Sequence, residues 1–269
     1  MKEKYVVVRG AGDLATGVIY ILKHFGFRVI ATEIEKPSAI RRTVALSEAV
    51  YDGSATVEDV TAVRCGNQAD ITKALDAGYV PVLIDPKSRI IGDMRPDIVV
   101  DAIIAKKNLG THMDMAPMVI GLGPGFCAGE DVHAVVETAR GHHLGRMILN
   151  GSAKPNTGVP GVIGGYSHER VIYSPQAGVI RCYKKIGDHV QADETIAEVD
   201  GAPVRSKIGG ILRGLIRDGF EVTEGFKTAD VDPRDVYDHC FSISDKARMI
   251  GFGTLFAINH FFKETEHAY

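Results

Sequence analysis

The sequence predicts an α/β protein in two parts: an open parallel sheet with helices, then a small antiparallel β-barrel. Three observations predict it. Residues 5–31 read strand, glycine turn, helix, strand. A second apolar strand, at 119–122, runs into a turn carrying Gly121, Gly123, Gly125 and Gly129. Residues 172–199 and 204–231 align without a gap at an offset of 32, alternating β-rich runs with glycine turns.

The 269 residues allow one large domain or two to three small ones. With 45% hydrophobic and 24% charged residues the mix is that of an ordinary globular protein. A net charge of −3 gives no reason to expect nucleic acid. No window approaches the roughly 18 consecutive apolar residues of a membrane span. The start, Met-Lys-Glu-Lys-Tyr-Val-Val-Val, lacks a signal-peptide layout, so a cytoplasmic location is expected. Cys65, Cys127, Cys182 and Cys240 form no CxxC and support neither a zinc ribbon nor a disulfide framework.

Residues 1–110 are expected to form a Rossmann-like domain. The continuous apolar run 5–8 is typical of a strand buried on both faces. Leu14, Val18, Ile21, Leu22 and Phe25 have helical spacing, Gly26 ends that helix, and 27–31 is the second strand. Gly10-x-Gly12-x-x-Ala15 fits the dinucleotide fingerprint in its alanine form, and Glu33, 21 residues after Gly12, stands where a ribose-binding acid would. Arg9 and Asp13 are unusual flanks for such a turn, and an empty or repurposed crevice is the alternative. Residues 49–51, 80–84 and 98–100 read as strands, 67–75 as a helix, 57–63 as either. Arg41 and Arg42 precede a strand-like 43–45 and read as a solvated loop. Asp85 and Asp101 follow strands, where open parallel sheets bind ligands.

Residues 111–167 complete the α/β part with a Gly-rich loop and a helix. Val132, Val135, Val136 and Ala139 fall on one helical stripe, placing His133, Glu137 and Arg140 together on another face. Gly123 and Gly125 let the backbone approach an anion closely, although Glu130 and Asp131 already satisfy the dipole of such a helix. Residues 146–149 look like a strand. The loop 150–165 supplies Ser152, Lys154, Asn156 and Thr157 as donors for a phosphate or a polar ring. A plain tight turn and a plain interdomain connection are the alternatives for these two stretches. His133 with Glu137 is two ligands, short of a zinc site, and no metal is assigned.

Residues 168–232 hold the repeat: Ser174 matches Ser206, Gly178 matches Gly210, Arg181 matches Arg213, and Gly187 matches Gly219. Two interlocking halves of this kind resemble the lipoyl/biotinyl hammerhead barrel. The hairpin between the halves, Glu198-Val199-Asp200-Gly201-Ala202-Pro203, has no lysine, and Lys207 lies inside the second half. No covalent biotin or lipoate is therefore expected. Residues 233–269 are expected to form a helix capped at Ser244-Asp245, with a stripe of Ala247, Ile250, Thr254, Leu255, Ile258, Phe261 and Phe262. It either packs back on the first two segments or meets a second copy in a homo-oligomer. Gly251 and Gly253 within it suggest close approach of another backbone.

Taken together, Gly-Ala-Gly-Asp-Leu-Ala-Thr-Gly (10–17), Gly-Leu-Gly-Pro-Gly-Phe (121–126), Asp-Val-His-Ala-Val-Val-Glu-Thr (131–138), Arg-Gly-His (140–142), Pro-Asn-Thr-Gly (155–158) and the repeat resemble the YqeB-type accessory proteins of selenium-dependent molybdenum hydroxylases. That set is distantly similar to the XdhC chaperones. The resemblance implies a maturation factor that meets a molybdenum hydroxylase or its cofactor-assembly proteins. It would bind a nucleotide or molybdenum cofactor through Gly10, Gly12, Asp13, Glu33, Gly123, Gly125, Lys154, Asn156 and Thr157, with His133, Glu137 and His142 orienting the ligand or moving a proton. An NAD(P)-linked oxidoreductase and a non-catalytic adaptor docking through the barrel are the rival readings.

Overall fold

A computed structural model describes residues 4–266 as two compact units. The first comprises residues up to 37, 45–156 and from 243 onward; the second comprises 38–44 and 157–242.

In chain order the first unit runs β1 (Tyr5–Arg9), α1 (Asp13–His24), β2 (Arg28–Glu33), α2 (Ala49–Asp52), β3 (Ser54–Val57), β4 (Val60–Cys65), α3 (Gln68–Asp76), β5 (Val80–Ile84), α4 (Ile90–Met94), β6 (Ile98–Asp101), β7 (Met118–Leu122), β8 (Cys127–Ala128), β9 (Ala134–Val136), β10 (Met147–Ile148) and β11 (Gly151–Ser152). The last helix, α5 (Asp245–Glu266), also belongs to it. Nine strands form one sheet in the order β10-β9-β7-β6-β1-β2-β5-β4-β3. It is parallel from β9 to β4, with β10 and β3 as antiparallel edges. A large sheet with helices on it is thus present, as the opening strand–turn–helix predicts. Val6, Val7 and Val8 are fully buried, as a central strand covered on both faces requires. β1 sits between β2 and β6, so the chain crosses to opposite sides of it, and the crevice at the carboxyl ends of β1 and β6 is the topological switch point.

Three expected elements differ. The helix expected from Val132 to Ala139 is a strand, β9, followed by a hairpin into β10. Val132, Ala134, Val135 and Val136 are all fully buried, so burial on both faces removed the alternation that marks a half-exposed strand. Residues 49–51, expected as a strand, are the one-turn helix α2, closed by Gly53 at φ +82. The strand-like 43–45 is a short 3-10 turn, Arg42–Val44.

α5 lies on α1 with backbone touching backbone. A Cβ on Gly17 would stand 2.5 Å from the Ala247 carbonyl oxygen, and one on Gly251 would stand 2.6 Å from that of Gly17. Gly253 meets the Gly145 carbonyl in the same way. Its glycines are therefore contact points, as their positions in the sequence suggest. Arg248 reaches Glu58 at 2.5 and 2.7 Å, and Arg140 makes a fork on Asp245 at 2.7 and 3.0 Å.

The second unit contains β12 (Val171–Tyr173), β13 (Gly178–Cys182), β14 (His189–Val190), β15 (Thr195–Val199), β16 (Ala202–Arg205), β17 (Gly210–Leu215), β18 (Glu221–Val222) and β19 (Lys227–Asp232). They form two antiparallel four-stranded sheets, β12-β19-β17-β14 and β16-β15-β13-β18, around one shared core that includes Ile180, Ile196, Ile211 and Leu212. Neither sheet closes on itself, so two open sheets stand where one flattened barrel is expected. The hairpin between the halves turns on Asp200 (φ +43) and Gly201 (φ +85), a two-residue turn with both central φ positive. Arg41 and Arg42, expected as solvated, are spent on carbonyls: Arg41 on His239 and Ser242, Arg42 on Leu215 at 2.8 Å.

Gly253→Ala tests the helix contact. Alanine favours a helix by about 1 kcal/mol, but overpacking costs about 1–3 kcal/mol, and here the obstacle is backbone. The expected result is a urea midpoint lowered by a net destabilisation of about 1–2 kcal/mol; an unchanged or raised midpoint counts against the contact.

Candidate functional site

The carboxyl edge of the first unit's sheet brings together many of the residues the sequence singles out. β1 ends at Arg9, and Gly10 turns the chain at φ +97. A Cβ there would lie 3.0 Å from the Ala102 carbonyl oxygen, so glycine is required by space as well as by φ. Gly12 caps α1 in an extended conformation, and a Cβ on it would meet nothing within 4 Å. This turn is open to a ligand at Gly12. Asp13 occupies the first turn of α1. Glu33, at the end of β2, folds back: its Oε1 accepts from the Ala11 N–H and its Oε2 from the Ile34 N–H, both at 2.9 Å. Burial raises its carboxyl above the usual range, and those two N–H donors pull it back down.

Beneath the turn lies a polar plug. Arg9 and Asp101 are only 3% and 2% exposed. Arg9 Nη1 lies 3.1 Å from Asp101 Oδ2, and its Nε donates to Ser88 Oγ at 3.1 Å. Thr111 Oγ1 donates to the same Asp101 oxygen at 2.5 Å, and Ile103 N–H donates to Oδ1 at 3.1 Å. Asp101 is thereby committed to Arg9 and its own loop. Three residues further on, Ile104 stands at φ +59, a conformation that a β-branched residue holds at a cost on the order of 1–3 kcal/mol.

On the other side of the crevice, Gly123 and Gly125 follow β7. Each has positive φ, but their Cβ positions are filled by Thr138 and by the Lys107 backbone, respectively. They permit close packing of two loops. Glu137 closes β9 and is buried; its Oε1 accepts from Ala139 N–H at 2.7 Å and its Oε2 from Lys154 N–H at 2.9 Å. Glu137 thus ties the segment after β11 to the β9–β10 hairpin, and brings Lys154 near His143. Asn156 is exposed at the end of the first unit, while Thr157 opens the second and accepts from Val159 N–H.

His133 does not join them. It precedes β9 while Glu137 follows it, so about 13 Å of extended chain separates the two, against roughly 6 Å on the expected helix. Its Nδ1 accepts from Val119 N–H at 2.9 Å, and its ring packs edge-on against Phe261. Burial holds its pKa below the usual value, opposed by the charge of Asp114.

Sequence reasoning missed Lys246. Half-buried in the first turn of α5, its ammonium feels Asp13, Glu137 and Asp245, with Arg140 opposing. Burial, then Arg140, holds its pKa below the ordinary lysine value, and the three acids partly restore it. The signal was available: a cation in a helix's first turn runs against the macrodipole and calls for local acids. His143, half-buried beside His142 with ring centroids 4.9 Å apart, was passed over too.

A separate open groove of about 700 Å³ lies beside α4, lined by Arg89, Ile91, Arg95, His112 and Met115; none of the sequence-predicted site residues lines it. Among the described residues no group of three His, Cys, Asp or Glu side chains is placed to hold a metal ion, and no helix is long and apolar enough to cross a membrane.

No family model matches the chain. It is 50% identical over 256 residues to the uncharacterized protein YqeB of Escherichia coli K12, which covers 95% of this chain. The chain spans 47% of that protein's length. Among solved structures it is similar to an aspartoacylase family protein from Mesorhizobium loti at 11% identity, over 86% of this chain and 85% of that one, with a TM-score of 0.28. A succinylglutamate desuccinylase/aspartoacylase from Rhodobacter sphaeroides gives 15% identity over 85% of each chain and a TM-score of 0.27. Neither superposes well enough to bear on function.

Two predictions follow from the buried groups. Asp101→Ala leaves Arg9 buried without its carboxylate, and should cost about 3–5 kcal/mol in chemical denaturation; a loss below about 1 kcal/mol would show the plug to be dispensable. His133, with a folded pKa below its unfolded value of about 6.5, contributes stability that is complete above that pH and is lost as pH falls through its folded pKa. His133→Asn should flatten this part of the curve; urea midpoints between about pH 5 and 7.5 read it, and parallel curves for both proteins would be the contrary result.

Proposed function

The chain being a close homologue of about half of YqeB, we propose that it is a maturation factor for selenium-dependent molybdenum hydroxylases that holds a phosphate-bearing nucleotide or molybdopterin-type ligand. The resemblance to the YqeB-type accessory proteins supplies the pathway. The ligand class rests on one observation: Asp13 beside the open Gly12 turn, and Glu137 at the root of the basic hairpin, both act on Lys246 at the carboxyl edge of one parallel sheet. Partners are a molybdenum hydroxylase or its cofactor-assembly proteins.

In this reading Gly10 and Gly12 let the backbone approach the ligand. Asp13 accepts from its hydroxyl or amino groups, because a carboxylate at the turn disfavours phosphate there, and Glu33, with both oxygens on backbone N–H groups, fixes the turn. The phosphate lies toward Lys154 and His142, with Asn156 as a donor further along the loop. Gly123 and Gly125 shape the wall. Glu137 acts by fixing the loop, since both its oxygens already accept backbone N–H groups. His133 supports β7 and β9 from the far end.

Titration of the full chain with nucleotides and with molybdenum cofactor tests this. Gly12→Val and Lys154→Ala should each weaken binding about tenfold or more, roughly 1.4 kcal/mol. Wild-type affinity in both variants would remove the site. The β1–α1–β2 fingerprint favours a second reading, an NAD(P)-linked oxidoreductase; quenching or enhancement of nicotinamide fluorescence on mixing would support it over the first.

A further inference from the structure

We propose that the β9–β10 hairpin and the segment after β11 form an oxyanion subsite, with His142, His143, Arg146 and Lys154 as its donors and a phosphate or pyrophosphate group as its ligand. The proposal rests on the ligand reading above and names which part of the ligand lies here.

The frame is rigid. Glu137 and the Gly145–Arg146 segment exchange two backbone hydrogen bonds of 2.9 Å, Leu144 N–H bonds Gly141 O, and Arg146 N–H bonds His143 O. Gly145, at φ +78, is pressed on α5: a Cβ there would lie 2.6 Å from the Met249 carbonyl oxygen. Glu137 fixes the Lys154 backbone to the same hairpin, as described above. Arg140 is already used by its fork on Asp245, which braces the hairpin to the start of α5. The four remaining cationic or titratable side chains extend from a preformed loop, so ordering costs on binding are small.

The charges are arranged at one another's expense. His143 is held below its usual pKa first by burial, then by the charges of His142, Arg146 and Lys154, with Glu137 opposing. Like charges gathered by a rigid backbone repel until an anion enters among them. Its arrival lifts the penalty on the His143 proton, so binding takes up protons and is favoured below neutrality. Arg146 and Lys154, brought together from two neighbouring segments with an imidazole that can take up a proton, suit a compact di- or trianion. A nucleic-acid track would spread its cations along a surface.

The test uses the full chain and inorganic pyrophosphate. Calorimetric titration at about pH 7 in two buffers of different ionisation heat should show net proton uptake, and NMR should show His143 titrating at higher pH in the complex. Arg146→Gln and Lys154→Gln should each weaken pyrophosphate about tenfold, with Lys154→Arg restoring most of it. His143→Gln should abolish the buffer dependence while the protein keeps its fold. Gly12→Val should leave pyrophosphate affinity unchanged even as nucleotide affinity falls, which separates this subsite from the turn. Pyrophosphate binding that Arg146→Gln and Lys154→Gln leave unaltered, or binding seen only with long polyanions such as RNA, overturns the subsite and leaves the turn standing. Nucleotide binding that survives Gly12→Val but is lost in Lys154→Gln, alongside the pyrophosphate results above, removes the turn and leaves the subsite standing.

Discussion

The first unit depends on one constraint: α5 must cross α1 and the β9–β10 hairpin with backbone against backbone. Gly17 against Ala247 and Gly251, and Gly253 against Gly145, leave no room for a side chain at either crossing. The consequences reach the site. Asp13 lies one turn before Gly17 on α1, and Lys246 immediately precedes Ala247, so the first crossing sets the ammonium beside that carboxylate. The second pins Gly145, and with it the basic loop. Hydrophobic stripes alone would tolerate sliding of one helix along another; glycine-to-backbone contacts do not, because interiors are close-packed and a shift of an ångström produces a clash or a void. Two small residues in α5 therefore weaken it as an isolated helix and sharpen its position.

The carboxyl edge is more acidic than a dinucleotide crevice should be. Glu33 accepts the Ala11 N–H, a donor that a pyrophosphate would want, and Asp13 places negative charge at the helix start. Asp101 adds nothing to this negative charge, because Arg9 neutralises it below the turn. The positive charge that a phosphate needs is found instead on the hairpin, at the opposite wall. On the proposed reading, charge orients the ligand with its hydroxyl or amino groups at the turn and its phosphate at the hairpin, and Lys246 lies between Asp13 and Glu137.

How much of this could be read from residues alone varies with the physics of each element. Tyr5–Glu33 was legible because a glycine turn punctuates it and α1 is amphipathic. The carboxyl-edge grouping of Gly10, Gly12, Asp13 and Glu33 followed from that motif. β9 was not legible. Its spacing of Val132, Val135, Val136 and Ala139 coincides with a helical stripe, and a strand buried on both faces has no alternation to contradict it. That one misreading placed His133 beside Glu137, when an extended backbone sends them to opposite ends of the strand. Lys246 was hidden for a different reason: its neighbours come from α1, β9 and its own helix, and such groupings exist only after folding.

The second unit shows the converse, a fold whose symmetry was written plainly in the chain. Replacing each strand by its counterpart 32 residues away converts one sheet order into the other. Hydrogen bonds obey the same rule: Gly187 N–H to Leu212 O repeats as Gly219 N–H to Ile180 O, and Ser174 N–H to Phe226 O repeats as Ser206 N–H to Glu194 O. The side chains do not follow. Arg213 is buried near Asp232, with its Nε on His239 O, while its counterpart Arg181 is exposed and lies over the Tyr183 ring. Backbone pairing fixes the repeat because every buried N–H and C=O must be satisfied in each half. Side-chain burial is free to diverge where the halves meet different neighbours: Ile40, Arg42 and His239 bond Arg213 and Leu215 of β17, whereas Tyr237 and Phe241 lie against Gly187 of the first half. The hairpin joining the halves follows the same logic: its two-residue turn needs positive φ at Asp200 and Gly201, a demand that a lysine meets poorly at either position.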